Sequence, residues 1–521
     1  MSNLQWAGIL WALVLGGTIV FALVHQQRSV AVRRNVPVLS VAMLGMLVVL
    51  VVQAARIQVF QQRAVATRAG VDPRTGEVVS NPRASLGDLT SMRGSILDDE
   101  QSPLAWTEMM GSHAQRVYGE SAVSQVAGFF SPLLYGKDGI EEAEQDVLSR
   151  GKARSLEQHL QEAIGARVAR PESVKLTINS GLQRAAQGLL GDRVGAAVVI
   201  ETASGAVKAL ASVPWVDPAP LAAVEPDDMT RARAYWSSLL DDPDGPLLRR
   251  STLGLYTPGS TFKVVTAAAA IDSGIASPDT MFEDGGVFTI DGHTILEVNR
   301  PDDSVSTWSL SEGFIFSLNV VFARIGLELG AERLTAYARA FGFDESVPFD
   351  IPVARGQVAS SDDFLRSRPA LADTGFGQGE LLATPLQMAL VCSAFCNRGS
   401  IMKPRLVSGY LDVNGRHLEV AQSAVWTRPI SETTAETMQQ MLIRSVQEGY
   451  AYGASVPGYT IGGKTGTAET AEDDPHGWFI GFGGDPEPRF AVAVVLEHGG
   501  SGGGVPATIG GQLLAEALSS G

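Results

Sequence analysis

Tyr256-Thr257-Pro258-Gly259-Ser260-Thr261-Phe262-Lys263 opens a run that continues Val264-Val265-Thr266-Ala267-Ala268-Ala269-Ala270-Ile271. Pro258 and Gly259 close an irregular stretch, and the nearly all-apolar run after them predicts a buried helix. A serine in the first turn of such a helix lies where free backbone N–H groups point and negative charge is favoured. Lys263 follows three residues on, on the same face. A hydroxyl is a weak nucleophile at neutral pH and needs a base. A buried lysine gives up its proton readily enough to be one.

An S-x-x-K pair occurs three times: Ser149–Lys152, Ser260–Lys263 and Ser400–Lys403. Gly151 interrupts the first, and the third runs into Pro404, so both read as loops that cannot hold the pair on one helical face. Ser317-Leu318-Asn319, the only S-x-N, precedes a helical run from Val320 to Leu329. Two residues apart do not share a helix face, so this triplet is expected on a loop, turned toward one cleft. Taken alone it reads better as a Ser/Asn cap of the following helix. Lys464-Thr465-Gly466-Thr467 follows Gly462-Gly463 on an expected strand. The glycines are expected to let a substrate backbone approach, and Lys464 with two threonine hydroxyls suits a carboxylate.

Composition narrows the field. The 521 residues carry a net charge of −16, which argues against nucleic acid as a partner. Only seven of the 40 basic residues are lysines, and two of those, Lys263 and Lys464, fall in the motifs above. Arginine cannot lose its proton, which is a reason to place lysine at a reactive position. Cys392 and Cys396, four apart in an apolar helical run, read as core packing, not as a disulfide or zinc site. The seven histidines form no HExxH pattern, so no metal or other cofactor is implied.

Two uncharged apolar runs, about 4–24 and 37–55, are each long enough to span a bilayer. Arg28, Arg33 and Arg34 between them predict a cytoplasmic loop, which places the N-terminus and the large C-terminal part outside. Arg56, Arg63 and Arg68 after the second run weaken that asymmetry. The expected organisation is a membrane anchor over 1–60, a pedestal over 61–171 and a catalytic domain over 172–521. Residues 61–90 read as loop, and Ser155 to Ile164 as a polar helix. The catalytic domain is expected to be α+β: helix Ser180 to Leu190, a hairpin of Ala196–Ile200 with Ala206–Leu210, then helices through Asn397. Three late strands, Tyr459–Glu469, Gly477–Phe482 and Phe490–Glu497, would complete an antiparallel sheet flanked by helices and built from both ends of the domain.

In this order, S-x-x-K, S-x-N and K-T-G form the set shared by penicillin-binding proteins and class A β-lactamases. The chain resembles a class B, monofunctional penicillin-binding protein, a peptidoglycan D,D-transpeptidase. The likeness covers nearly everything after residue 90. It includes Arg93-Gly94, Gly139-Ile140-Glu141 and Gly375-Phe376-Gly377-Gln378-Gly379 besides the three motifs. The resemblance implies Ser260 as nucleophile, Lys263 as base and Ser317 as proton relay. It implies Asn319, Lys464, Thr465, Gly466 and Thr467 as substrate-binding, with the N–H groups of Ser260 and Thr467 as oxyanion hole. It further implies stem peptides ending in D-Ala-D-Ala as substrate, β-lactams as covalent inhibitors and a polytopic glycan polymerase as partner, with the catalytic domain on the outer face of the cell membrane. Two expected membrane helices depart from the single anchor usual in the class. The competing readings are a β-lactamase or carboxypeptidase, which would use water as acceptor, and a non-enzymatic sensor or scaffold.

Overall fold

The computed structural model describes residues 92–150 and 171–520, apart from 112, 362, 470–473 and 485–486, with short pieces at 45–47, 49–50, 70–71 and 78–79. The chain divides into two compact units, Met1–Gly87 and Asp88–Gly521. In the first, Gly70–Val71 and Val78–Val79 pair antiparallel, inside a span read as loop. The β-branched valines favour extended backbone despite the nearby proline and glycine. The expected polar helix at 155–164 and the membrane run at 4–24 lie outside the described residues. So does the run at 37–55, except that 45–47 and 49–50 are helical. Among the described residues no helix is long and apolar enough to cross a membrane.

The second unit is built on a five-stranded antiparallel sheet. Its order is Ala206–Val213, Gly195–Glu201, Pro488–Leu496, His476–Gly484 and Thr460–Ala468. Two early strands and three late ones thus meet, as their spacing predicted. The first and third late strands read from the sequence are shortened or shifted by a residue or two, and the middle one extends to Gly484. Alternate residues serve different cores. Ala196, Val198, Ile200, Ile480 and Ala493 face one cluster, while Ala197, Val199, Phe479, Val492 and Val494 face the other. Helix Pro385–Cys396 packs on the sheet from the first core, and helices Ser180–Leu190 and Val505–Ser519 enclose the second. Burial on both faces explains why these strands read as continuous apolar runs instead of alternating ones. Cys392 and Cys396 are free thiols in the first of these helices.

A second sheet joins segments far apart in sequence. Its order is His417–Val420, Val407–Leu411, Ser173–Leu176, Ile96–Leu97, Pro103–Met110 and His113–Tyr118. Ser173–Leu176 runs parallel to Ile96–Leu97 and antiparallel to Val407–Leu411, so residues on both sides of position 171 share this ladder.

Beside that sheet the Arg93-Gly94 and Gly139-Ile140-Glu141 segments form a buried ionic knot. Glu141, fully buried, receives Arg93 Nε at 2.5 Å and Arg116 Nε at 2.6 Å, and Tyr118 Oη donates to it at 3.3 Å. Arg93 also donates to the Glu141 carbonyl, and Arg116 Nη1 to the Gly94 carbonyl at 2.8 Å. Burial by itself would raise the Glu141 pKa, but the guanidiniums of Arg116 and Arg93 outweigh it and hold the carboxyl below its ordinary range. One nitrogen, Arg116 Nη2, is left without a partner.

Candidate active site

Ser260 lies in a 3₁₀ turn, Gly259–Phe262, which runs directly into the helix Lys263–Asp272. Two glycines let backbone stack on either side of that turn. Gly259 has φ +55°, and a Cβ there would come within 2.6 Å of the Thr467 carbonyl. Gly377 has φ +97°, and a Cβ there would sit 1.8 Å from the Gly259 carbonyl. No side chain fits either approach, so the Gly375–Gly379 segment backs the turn while strand Thr460–Ala468 flanks it. The segment leading in is clamped from both sides. Tyr256 exchanges backbone hydrogen bonds with Ala383 at 3.0 and 2.9 Å, and Trp478 Nε1 donates to the Thr257 carbonyl at 3.1 Å. Tyr256 Oη donates to Glu497 at 2.6 Å, as does Arg250 Nε.

The helix buries Lys263 completely. Its ammonium donates to the Ser317 carbonyl at 2.7 Å, to Ser317 Oγ at 3.3 Å and to Asn319 Oδ1 at 2.7 Å. It also lies 5.5 Å from the Phe322 ring centroid. Burial drives its pKa down to about 7, against a smaller upward pull from the carboxylate of Glu297. A substantial fraction is therefore neutral near pH 7, with a lone pair available to take a proton.

Ser317 and Asn319 reach this lysine through local backbone geometry. Helix Leu310–Ile315, closed at its start by a capping box between Ser309 and Glu312, ends two residues short of Ser317. Ser317 takes a left-handed conformation, φ +59°. For a serine this costs about 1–2 kcal/mol. The turn aims both its carbonyl and its hydroxyl at Lys263. Asn319 then begins a helix that runs to Ala340, longer than the apolar run predicted and broken by Gly330 at φ +73°. The S-x-N triplet is thus a loop on its first member and a helix start on its last.

On the flanking strand Lys464 is 1% exposed and donates to the Thr465 carbonyl at 3.2 Å. Its pKa is pushed well down, first by burial and then by the neighbouring Lys263 charge. The rings of Phe314 and Phe322, 6.3 Å apart, lie under the two ammoniums, Phe314 at 5.9 Å from Lys464 Nζ. Such contacts offset part of the desolvation of each cation. Thr465 is buried, Gly466 packs against the Ser260 turn, and Thr467 is exposed beside that turn. Gly462 and Gly463 play a different part from the one expected. A Cβ at Gly462 would strike the Phe482 ring at 2.3 Å, and one at Gly463 the Phe479 ring at 2.5 Å. Their missing side chains make room for the aromatic rings of the next strand, not for an incoming chain.

All eight residues singled out from the three motifs therefore gather around one turn–strand–loop junction. Two that were not singled out join them. Glu297, half-buried just after strand His293–Leu296, accepts the backbone N–H of Asn299 at 3.1 Å and of Val320 at 3.0 Å. Asn299 Nδ2 donates to the Ser317 carbonyl at 3.2 Å. Neither belongs to a recognisable pattern. The one available signal was an acidic residue inside the apolar run Ile295–Val298. Among the described residues no group of three or more His, Cys, Asp or Glu side chains converges to hold a metal.

The family model for the penicillin-binding protein transpeptidase domain matches residues 195–515. A peptidoglycan D,D-transpeptidase PbpA of Mycolicibacterium smegmatis is 33% identical over 503 residues, covering 92% of this chain and 98% of that protein. Penicillin-binding protein A of M. tuberculosis, solved as an imipenem acyl-enzyme complex, superposes with a TM-score of 0.75 at 30% identity, covering 82% of this chain and 98% of that one. The D,D-transpeptidase domain of a peptidoglycan glycosyltransferase from Eggerthella lenta gives a TM-score of 0.72 at 31% identity, covering 83% and 99%.

Proposed function

The chain belongs to the penicillin-binding protein transpeptidase family, and from that premise we propose that Ser260 is the acyl-accepting nucleophile of a peptidoglycan D,D-transpeptidase. The observation that carries the assignment is the single ammonium of Lys263, which ties the S-x-x-K turn to both polar residues of S-x-N. Ser260 Oγ attacks the carbonyl of the penultimate D-Ala as Lys263 takes its proton. The C–N bond to the terminal D-Ala breaks, and the proton passes through Ser317 to the departing amine. The amine of a second stem peptide then attacks the ester, forms the cross-link and returns the proton to Ser260.

The remaining residues have positions suited to their roles. Thr467, exposed next to the Ser260 turn, offers its N–H with that of Ser260 to the developing oxyanion, where one lost donor costs about 10²–10³ in rate. Lys464, Thr465 and Gly466 belong to the same strand, whose lysine favours a carboxylate, and Asn319 meets the peptide from the other wall. A β-lactam follows the first half of this path and stays as the ester, in keeping with the acyl-enzyme complex of the M. tuberculosis relative.

The apolar runs at 4–24 and 37–55 support a membrane-anchored protein with its catalytic domain outside the cell membrane, and the family resemblance supports a polytopic glycan polymerase as its partner. Treating the protein with a labelled penicillin, digesting it and mapping the adduct by mass spectrometry is expected to place the label on Ser260. Label elsewhere refutes the assignment, and rapid turnover of the drug would favour a β-lactamase.

A further inference from the structure

The carboxylate of Glu297 is held by two backbone N–H groups, from Asn299 and Val320. Each of these belongs to a segment that touches the Lys263 site. Asn299 steadies the strained Ser317 carbonyl, which Lys263 also uses, and Val320 directly follows Asn319, the third acceptor of Lys263. The Tyr450 hydroxyl closes the outer side by donating to the Asn299 carbonyl at 2.9 Å. One carboxylate thus fastens both segments from which the lysine receives its acceptors.

We infer that Glu297 is a positioning residue of this enzyme: through Asn299 and Val320 it holds the Ser317–Asn319 acceptors in place, and its charge sets the pH at which Lys263 becomes a base. The inference rests on the reading of Lys263 as the base. The charged and titratable groups facing the pair are Lys464, beside Lys263, and Asp284 and Tyr450, beside Glu297. Burial presses Lys263 toward the neutral form, while Glu297 pulls the other way and keeps its titration near neutrality; the Lys263 charge in turn presses on Lys464. Burial in turn raises the pKa of Glu297, and the Lys263 charge opposes that rise.

The test is the rate of acylation by a fluorescent penicillin from pH 5 to 9, in the full chain and in Glu297→Gln and Glu297→Asp, each first shown by circular dichroism to unfold cooperatively. Wild type is expected to gain activity through an inflexion near pH 7. E297Q removes the charge, so its inflexion should fall by roughly one pH unit. E297D keeps the charge but shortens the reach, so its inflexion should stay while its plateau rate drops about tenfold. An unmoved inflexion in E297Q, or a moved one in E297D, overturns the inference. If E297Q does not fold, E297D alone decides. A wild-type profile with no inflexion near 7 would instead overturn the assignment of Lys263 as base, and this inference with it.

Discussion

Two buried clusters in this molecule each centre on two basic side chains around one carboxylate, and they behave oppositely. The knot beside the second sheet has two cations and one carboxylate: Arg93, Arg116 and Glu141. The Lys263 cluster also centres on two basic side chains and one carboxylate, Lys263, Lys464 and Glu297, with the buried Asp284 beside the last. In the knot the carboxylate meets both cations directly, at 2.5 and 2.6 Å, and the charges stay. In the site the carboxylate oxygens are taken by backbone N–H groups, and Lys263 is met by two serine oxygens and an amide oxygen. Residue type compounds the difference, since a guanidinium cannot relieve its burial by losing a proton and an ammonium can. Pairing makes a buried charge structural. Withholding a partner makes it reactive.

The contrast can be broken from either side. The largest effect is expected at Lys263: K263M should reduce penicillin acylation by about 10⁴-fold or more. The same variant should be more stable than wild type by about 1–4 kcal/mol in chemical denaturation near pH 6. The sign follows from the depressed pKa. The folded chain binds fewer protons than the unfolded chain between pH of about 7 and 10. The cost of the buried ammonium is therefore complete below pH 7 and fades as pH rises, so the gain of K263M should shrink toward pH 10. A stability advantage that grew with pH would contradict the account.

Next in size is the knot. E141A leaves two buried guanidiniums without their carboxylate and should cost about 3–5 kcal/mol, read from the denaturant midpoint. The acylation rate of the protein that remains folded should hardly change. A large catalytic loss with little loss of stability would mean that the two clusters are not separate in role.

The smallest effect tests the strain at Ser317. S317G relieves the left-handed backbone at φ +59° and should raise stability by about 0.5–1 kcal/mol, while acylation and cross-linking fall for want of the hydroxyl. A destabilised S317G would show that the hydroxyl contact to Lys263 outweighs the strain.

The candidate site was legible because groups of this kind come as ordered short motifs, each set in its own local context. Ser149, expected in a loop, instead lies in a short helix that ends at Arg150, with Lys152 outside the described residues; Ser400 lies just ahead of the two-residue strand Ile401–Met402, and neither repeats the turn-to-helix setting of Ser260. The sheet was legible too, because a strand buried on both faces announces itself as an apolar run. Glu297 and Asn299 were not legible. Their importance comes from where a hairpin happens to end relative to a helix start some twenty residues later, and no spacing rule encodes that. Gly462 and Gly463 misled for a related reason: the space they leave is claimed by Phe482 and Phe479 on the adjacent strand, a relation visible only in register.

The amino-acid sequence by itself determined the nucleophile candidate, its motif partners, the antiparallel sheet made from both ends of the catalytic part and the apolar runs at the N-terminus. These follow from local periodicity, residue type and order along the chain. Tertiary structure alone decided that Lys263 would be fully buried and held by neutral oxygens, that Ser317 would be bent to reach it and that Lys464 would lie close enough to oppose its charge. A lysine's proton affinity depends on the groups packed around it, and those are brought together from the 260s, 310s and 460s only by folding.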